Sequence, residues 1–265
     1  MGFGIQGYLE RIGLDDVPFA DEAGLRALHR AQFFTVPFEN LDIHLGRGID
    51  PSVEAVFAKV VGRKRGGYCF ELNGLLNSAL DACGFDARPL LARVHLEGDP
   101  SARTHQLCLV DLDGRPWIAD AGFGGGGPRE PLPLEEGAHF DDGVQACRLT
   151  RSELWGWLLQ TRDKGKWKDS YSFDLGVATT NDIRLGNWFT STSPHTHFTR
   201  TRTVSLPTET GRINLRDMEW TEVVGEDAAT RTVPGGDAYM RILADRFGID
   251  PGARFNEFSA PHPPA

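Results

Sequence analysis

Cys69 is the residue best placed for nucleophilic chemistry, because Arg65-Gly66-Gly67-Tyr68-Cys69-Phe70-Glu71-Leu72-Asn73 sets it at the opening of a helix. Gly66 and Gly67 break whatever precedes. After Cys69, apolar residues recur at Leu72, Leu75, Leu76, Ala79, Leu80 and Cys83, with Gly84 just past the last of them. That spacing predicts one buried helical face closed by a glycine cap. Unpaired N–H groups and the positive dipole end at a helix start favour a thiolate over a thiol. Position alone also fits a small buried hydrophobe, the usual state of a free cysteine, so partners must decide.

A second segment supplies them. Residues 104–112 read as a strand with Gln106, Cys108 and Val110 on one face and His105, Leu107 and Leu109 on the other. Asp113-Gly114 is a two-residue hairpin turn, followed by a strand over 116–120. Pairing across that turn sets residues whose numbers sum to 227 opposite each other, so Asp120 faces Leu107. Asp120 is then a diagonal neighbour of His105, roughly 7–8 Å away at the backbone. A slip of one residue would put them on opposite faces. In this register Asp120 orients the His105 ring and stabilises its charged form, while the other ring nitrogen is free for the Cys69 proton. Cysteine, histidine and aspartate make a nucleophile, base and orienter set. Such residues occur together in most chains of this size, so spacing alone does not settle the site.

The elements that must position this set fall into three regions. Residues 1 to about 85 read as helical, with Asp21 capping a helix that carries Leu25, Leu28 and Ala31 inward. Residues from about 86 to 200 read as strand-rich. The candidate strands are 88–96, 104–112, 116–120, 155–160 and 171–177, with Asp163-Lys164-Gly165 as a further turn. Successive antiparallel hairpins suggest a small barrel. The remainder holds strands and then a helix over Asp237–Phe247, with Met240, Leu243 and Phe247 on one face and Gly248 behind it. A disordered tail is expected after Phe258.

Several stretches resemble arylamine N-acetyltransferases. These are the Arg65 to Asn73 run, Val36-Pro37-Phe38-Glu39-Asn40-Leu41, Thr104-His105 and Asp120-Ala121-Gly122-Phe123-Gly124-Gly125. Asn187-Trp188-Phe189-Thr190-Ser191-Thr192-Ser193-Pro194, followed by Phe198, resembles the family segment that opens a third domain. The resemblance implies an α+β fold with a cysteine-protease-like core: a helical domain (1–85), an antiparallel β-barrel (86–190) and an α/β lid (191–265). It implies that acetyl passes from acetyl-CoA to Cys69 and on to an aromatic amine, hydrazine or hydroxylamine, a reaction of xenobiotic metabolism. His105 would be the base and Asp120 the orienter. Within the same family, amide synthases close macrolactams from a carrier-bound polyketide with the same triad. They tend to be short at the C-terminus, and this chain also ends soon after Phe258. A Cys-His-Asp hydrolase shares the logic, but nothing marks a peptide cleft, and a non-catalytic binding module is a further alternative.

Gly124-Gly125-Gly126-Gly127 lacks the Lys-Ser/Thr of a phosphate-binding P-loop and reads by itself as a flexible loop. The resemblance places it beside the coenzyme entrance, so Gly124, Gly125 and Gly126, with Thr104, are the candidate coenzyme contacts. Backbone N–H groups near Cys69 and Gly124 are the expected oxyanion donors. Phe38, Phe123 and Phe198, out of a set that includes Tyr68 and Phe70, are the expected aromatic wall for a flat amine. Arg65 is expected to pair internally with Glu39. Cys83 and Cys108 are expected in the core, and His195-x-His197 without a third ligand is a weak metal signal.

Composition fits a soluble enzyme of 265 residues, 40% hydrophobic and 25% charged. A net charge of −9 argues against nucleic acid or an anionic membrane as partner. No apolar run approaches the ~18 residues a bilayer span needs. The N-terminus has neither the basic start and apolar core of a secretion signal nor the Ser or Thr expected for myristoylation. The four cysteines are scattered, with no C-x-x-C pair, so neither a disulfide framework nor a metal site is indicated, and a reducing cytoplasm is the expected setting.

Overall fold

Short amphipathic helices open the chain in the computed structural model, which describes residues 3–95, 99–225 and 227–259. After α1 (Ile5–Ile12), Asp21 accepts a hydrogen bond from the Gly24 N–H and caps α2 (Glu22–Thr35), which buries Leu25 and Leu28. Two-residue β1 (Phe38–Glu39), α3 (Leu41–His44) and α4 (Val53–Phe57) lead to α5 (Cys69–Ala82). Leu72, Leu75, Leu76, Ala79 and Leu80 of α5 lie in the helical core as their spacing predicts, and Gly84 turns out with φ of 87°.

Eight antiparallel strands follow: β2 (Asp86–Val94), β3 (Arg103–Leu112), β4 (Arg115–Ala119), β5 (Leu132–Pro133), β6 (His139–Asp141), β7 (Ala146–Ser152), β8 (Gly156–Asp163) and β9 (Lys166–Phe173). Their order, β5-β4-β3-β2-β9-β8-β7-β6, makes one barrel-like sheet that nearly closes. Cys108 and Val110 of β3 face the helical core, while Leu107 faces the barrel interior. β3 therefore belongs to two cores at once, and α5 lies across its outer face.

The third region runs α6 (Thr180–Thr192), α7 (His197–Arg200), β10 (Thr203–Thr208), β11 (Gly211–Arg216), β12 (Glu219–Val224), β13 (Asp227–Thr232) and α8 (Asp237–Phe247). Its five-stranded sheet has the order β1-β10-β11-β12-β13, so the N-terminal segment supplies an edge strand to the C-terminal sheet. Leu243 and Phe247 of α8 are buried under that sheet, and Gly248 closes the helix with φ of 65°.

Four expectations need correction. Strands β5, β6 and β7 carry too few alternating apolar residues to stand out in the sequence. The strand expected over 171–177 ends at Phe173, because the Asp174 carboxylate accepts the Gly176 N–H and turns the chain. The strand-rich stretch closes with helix α6, started by a capping box between Thr179 and Asp182. Ser259, the first residue of the expected tail, is fixed by donating its N–H and hydroxyl to the His44 carbonyl at 2.7 and 2.9 Å. The rest of that tail, and the last residue of the strand expected over 88–96, lie outside the described residues. No helix among the described residues is long and apolar enough to cross a membrane.

Candidate active site

Cys69 occupies the first turn of α5 because the chain before it is packed too tightly to continue as helix. Gly66 passes so close to Pro37 that any Cβ there would overlap the Pro37 carbonyl. Gly67 bridges to Phe38, and its carbonyl accepts the Glu39 N–H at 2.8 Å. The Glu71 side chain then reaches back to the Tyr68 N–H at 3.1 Å, satisfying one donor at the helix start. Lys59 Nζ lies 2.8 Å from Glu71 and 2.9 Å from Asp42, and Arg65 lies 2.7 Å from Glu39 and 3.3 Å from Asp42. These five side chains are almost fully buried. The Arg65–Glu39 pair expected from sequence is therefore one arm of an ionic network under the helix start.

His105 comes from β3 and Asp120 from the residue after β4. The observed pairs Cys108↔Ala119, Leu109↔Ile118 and Leu112↔Arg115 are those the hairpin arithmetic predicts. His105 Nε2 lies 2.7 Å from Asp120 Oδ2. The other carboxylate oxygen accepts from Asn73 Nδ2 at 2.8 Å and the Gly122 N–H at 3.1 Å. Burial opposes a charge on His105, but the Asp120 carboxylate and its hydrogen bond, with a hydrogen bond to Cys69, outweigh it and raise the imidazole to about 10. Burial would raise Asp120, yet His105, Asn73 and Gly122 together hold it below its ordinary range. With Nε2 committed to Asp120, Nδ1 is the nitrogen left for Cys69. The Cys69 thiol lies 3.7 Å from the Thr104 carbonyl, and only 3% of the residue is exposed. The structure thus brings Cys69, His105 and Asp120 together where the helical region meets the barrel.

Cys69 and His105 open into a cavity of about 460 Å³, with Asp120 buried behind them. Phe38, Phe123 and Phe198 all line it, as does Thr104. The Phe38 and Phe198 rings stand 6.0 Å apart, and Phe123 meets His105 edge-on at 5.0 Å. Tyr68 and Phe70 pack beneath in the core. Gly124, Gly125 and Gly126 are not among the lining residues. They follow Phe123, and the Gly125 N–H donates to Ser205 Oγ at 3.1 Å. Cys108 is fully buried, while Cys83 is half-buried at the end of α5. His195 and His197 lie on the cavity rim with Arg216. A more open depression of about 700 Å³ beside α8 is lined by neither cysteine nor histidine.

Three contributors escaped the sequence. Asn73 donates to both Asp120 and the Gln106 carbonyl and accepts the Ala121 N–H at 3.0 Å. Its spacing of four from Cys69, one turn along the same helix face, was the available signal. Tyr171 packs its ring 5.0 Å from His105, and burial plus the adjacent Asp120 charge push its phenol well above the ordinary value. Phe189 lines the cavity from α6. Neither of these two has a local sequence signal.

A family model described as N-acetyltransferase matches residues 22–254 of the chain. The arylamine N-acetyltransferase of Mycolicibacterium smegmatis is 37% identical over 262 residues, covering 95% of this chain and 94% of that protein. A solved arylamine N-acetyltransferase from Salmonella typhimurium superposes with a TM-score of 0.88 at 34% identity, covering 96% of this chain and 94% of that one. The Mycobacterium marinum enzyme, solved in complex with CoA, superposes with a TM-score of 0.86 at 32% identity, with 92% of each chain covered.

Proposed function

The chain belongs to the arylamine N-acetyltransferase family, and on that premise we propose that it carries acetyl from acetyl-CoA to an arylamine, arylhydrazine or arylhydroxylamine through an acetyl thioester on Cys69. One juxtaposition carries this: a buried cysteine in the first turn of α5 beside His105, whose far nitrogen is 2.7 Å from Asp120.

The exchange is ping-pong acyl transfer. His105 takes the thiol proton, and the sulfur attacks the acetyl carbonyl. The carbon–sulfur bond to coenzyme A breaks, and the departing sulfur is protonated by the imidazolium. The amine nitrogen then attacks the acetyl-Cys69 carbonyl, His105 accepts the nitrogen's proton, and the Cys69 sulfur leaves. Asp120 keeps His105 oriented throughout and stabilises the imidazolium that forms in each half. Backbone N–H groups around Cys69 and Gly124 receive the oxyanion of each tetrahedral state. Phe38, Phe123 and Phe198 hold the aromatic ring. Coenzyme A enters past Thr104 and the Gly124-Gly125-Gly126 loop, where the Gly125 N–H is already taken by Ser205. We divide the chain at 1–85, 86–190 and 191–265, with a cysteine-protease-like core, and assign it to the cytoplasm, whose reducing conditions keep Cys69 usable. The relatives named above are all arylamine N-acetyltransferases, which does not favour a macrolactam-closing amide synthase or a hydrolase.

Incubation with acetyl-CoA alone, followed by an intact mass, tests this directly. One added acetyl that is absent from Cys69→Ala is the expected result. An unmodified protein whose Cys69 still alkylates would retain the triad and reject acetyl-CoA as donor.

A further inference from the structure

A sheet edge leaves a row of backbone N–H and C=O groups unpaired, and folded chains blunt such edges by keeping them short or charged, or by placing proline there. Of the four edge strands among the described residues, three are short: β1 and β5 have two residues each, β6 has three, and β5 contains Pro133. Strand β13 is built differently. It ends the five-stranded sheet with six residues, Asp227-Ala228-Ala229-Thr230-Arg231-Thr232, all exposed and with neither proline nor lysine among them. Its pairing with β12 runs from Val224↔Asp227 to Glu219↔Thr232 without a bulge. Just beyond, the Val233 N–H donates to the Met218 carbonyl at 2.7 Å. In an antiparallel ladder alternate residues bond to a given neighbour, so this contact sets the phase. Asp227, Ala229 and Arg231 bond inward to β12, while Ala228, Thr230 and Thr232 turn their backbone groups away from the molecule.

The charges on this strand say what fits it. Asp227, Ala229 and Arg231 share the face of Trp220, and the Arg231 guanidinium lies 5.6 Å from the centre of that ring. Four residues apart on one strand, Asp227 and Arg231 are separated by about 13 Å and cannot pair within one copy. A second β13 running antiparallel brings them together. A two-fold axis at Ala229 pairs residues whose numbers sum to 458, which sets Asp227 opposite Arg231 of the second copy at both ends of the contact. The same register faces Ala228 with Thr230, whose backbone groups are the free ones, so charge and hydrogen-bonding phase select one alignment. A shift of one residue would face bonded groups with free ones. A shift of two would set Asp227 opposite Val233 and lose both ion pairs.

We infer that β13 is a dimerisation edge, across which two copies of the chain join antiparallel about Ala229 into one continuous sheet. No β13 residue lines the cavity that holds Cys69 and His105, so each copy keeps a whole site.

Sedimentation of the full-length protein from about 1 µM to about 1 mM should show a monomer–dimer equilibrium. Arg231→Asp or Asp227→Arg sets like charges opposite each other at both ends of the contact and should weaken the dimer about tenfold or more. The Asp227→Arg/Arg231→Asp swap should restore it. Ala229→Cys should link two copies through a disulfide under dipyridyl disulfide, because a non-hydrogen-bonded pair brings its Cα atoms to about 4.5 Å. Ala228→Cys, on the other face and off the axis, should not link. The cysteine arm alters no charge, so it reads the contact even where a charged variant folds poorly. A protein that stays monomeric over this range overturns the inference. A dimer that the single reversals leave intact overturns it by placing the interface elsewhere, as does one that the swap fails to restore. Linkage through position 228 as readily as through 229 overturns it too.

Discussion

Asp120 does more for His105 than hold its ring, because a fully buried imidazole left to itself would shed its proton. The observed balance runs the other way, with His105 raised to about 10 from its ordinary 6.5. A group whose folded pKa is raised contributes stability that is complete below its unfolded value and is lost as pH climbs through the folded one. Asp120→Asn removes the main opposing charge, so burial should then pull His105 below 6.5. Two outcomes follow from that sign. At neutral pH the variant should alkylate at Cys69 more slowly and lose activity by roughly 10²-fold or more. Its melting temperature should fall furthest below that of the unaltered protein near pH ~6, with the gap closing towards pH ~10. A gap that stays constant over that range would mean that Asp120 acts by packing rather than by charge. The diagonal contact between these residues was legible in the sequence because a two-residue turn fixes register and side chains alternate with period two. Tyr171 was not legible, because it reaches the His105 ring from a strand that pairs with β2, a contact no local pattern encodes.

Elements were legible where one face is apolar and at least one end is capped. Helices α2, α5 and α8 satisfy both conditions and lie close to where their periodicity puts them. Helix α6 satisfies the capping condition alone, and its apolar stripe faces solvent, so hydrophobic spacing could not report which face is buried. The start of α5 is different again, since what fixes it is ionic. Arg65 bonds Glu39 through Nε at 2.8 Å and Nη2 at 2.9 Å, and Nη2 also reaches Asp42 at 3.3 Å. Arg65→Ala should leave the Glu39 carboxylate buried without its ion-pair partner, while Asp42 keeps Lys59, a loss of about 3–5 kcal/mol. At this chain length that corresponds to a melting temperature lower by roughly 10 °C. A paired Arg65→Met/Glu39→Met variant, which buries no orphaned Glu39 charge, should recover part of the loss. Unchanged melting of Arg65→Ala would show that the network does not hold the helix start.

At the scale of the molecule, the site is assembled from three regions that the chain visits in turn: the nucleophile on the helical core, the base and its carboxylate on the barrel, and an aromatic wall shared with the C-terminal region. What holds the third region to the first is concentrated at Asn40. Its side-chain amide donates to the carbonyls of Phe198 at 2.9 Å and Thr201 at 2.8 Å, and its oxygen accepts the Thr203 N–H at 2.7 Å. Beside it, β1 pairs with β10 through Phe38↔Ser205 and Glu39↔Val204. Two walls of the cavity, Phe38 and Phe198, are therefore spaced by the same short seam. Asn40→Ala would leave the half-buried Thr201 carbonyl and Thr203 N–H without their side-chain partner, at about 1 kcal/mol each, while the Phe198 carbonyl keeps His44 Nε2 at 3.0 Å. It would also free Phe198 to shift against Phe38. The expected outcome is a melting temperature lower by roughly 5–10 °C together with a KM for the arylamine that rises more than kcat falls, because binding depends on the wall while the triad is held from elsewhere. A variant that melts earlier but keeps its KM would show that the seam carries stability alone and that Phe198 finds its place without it.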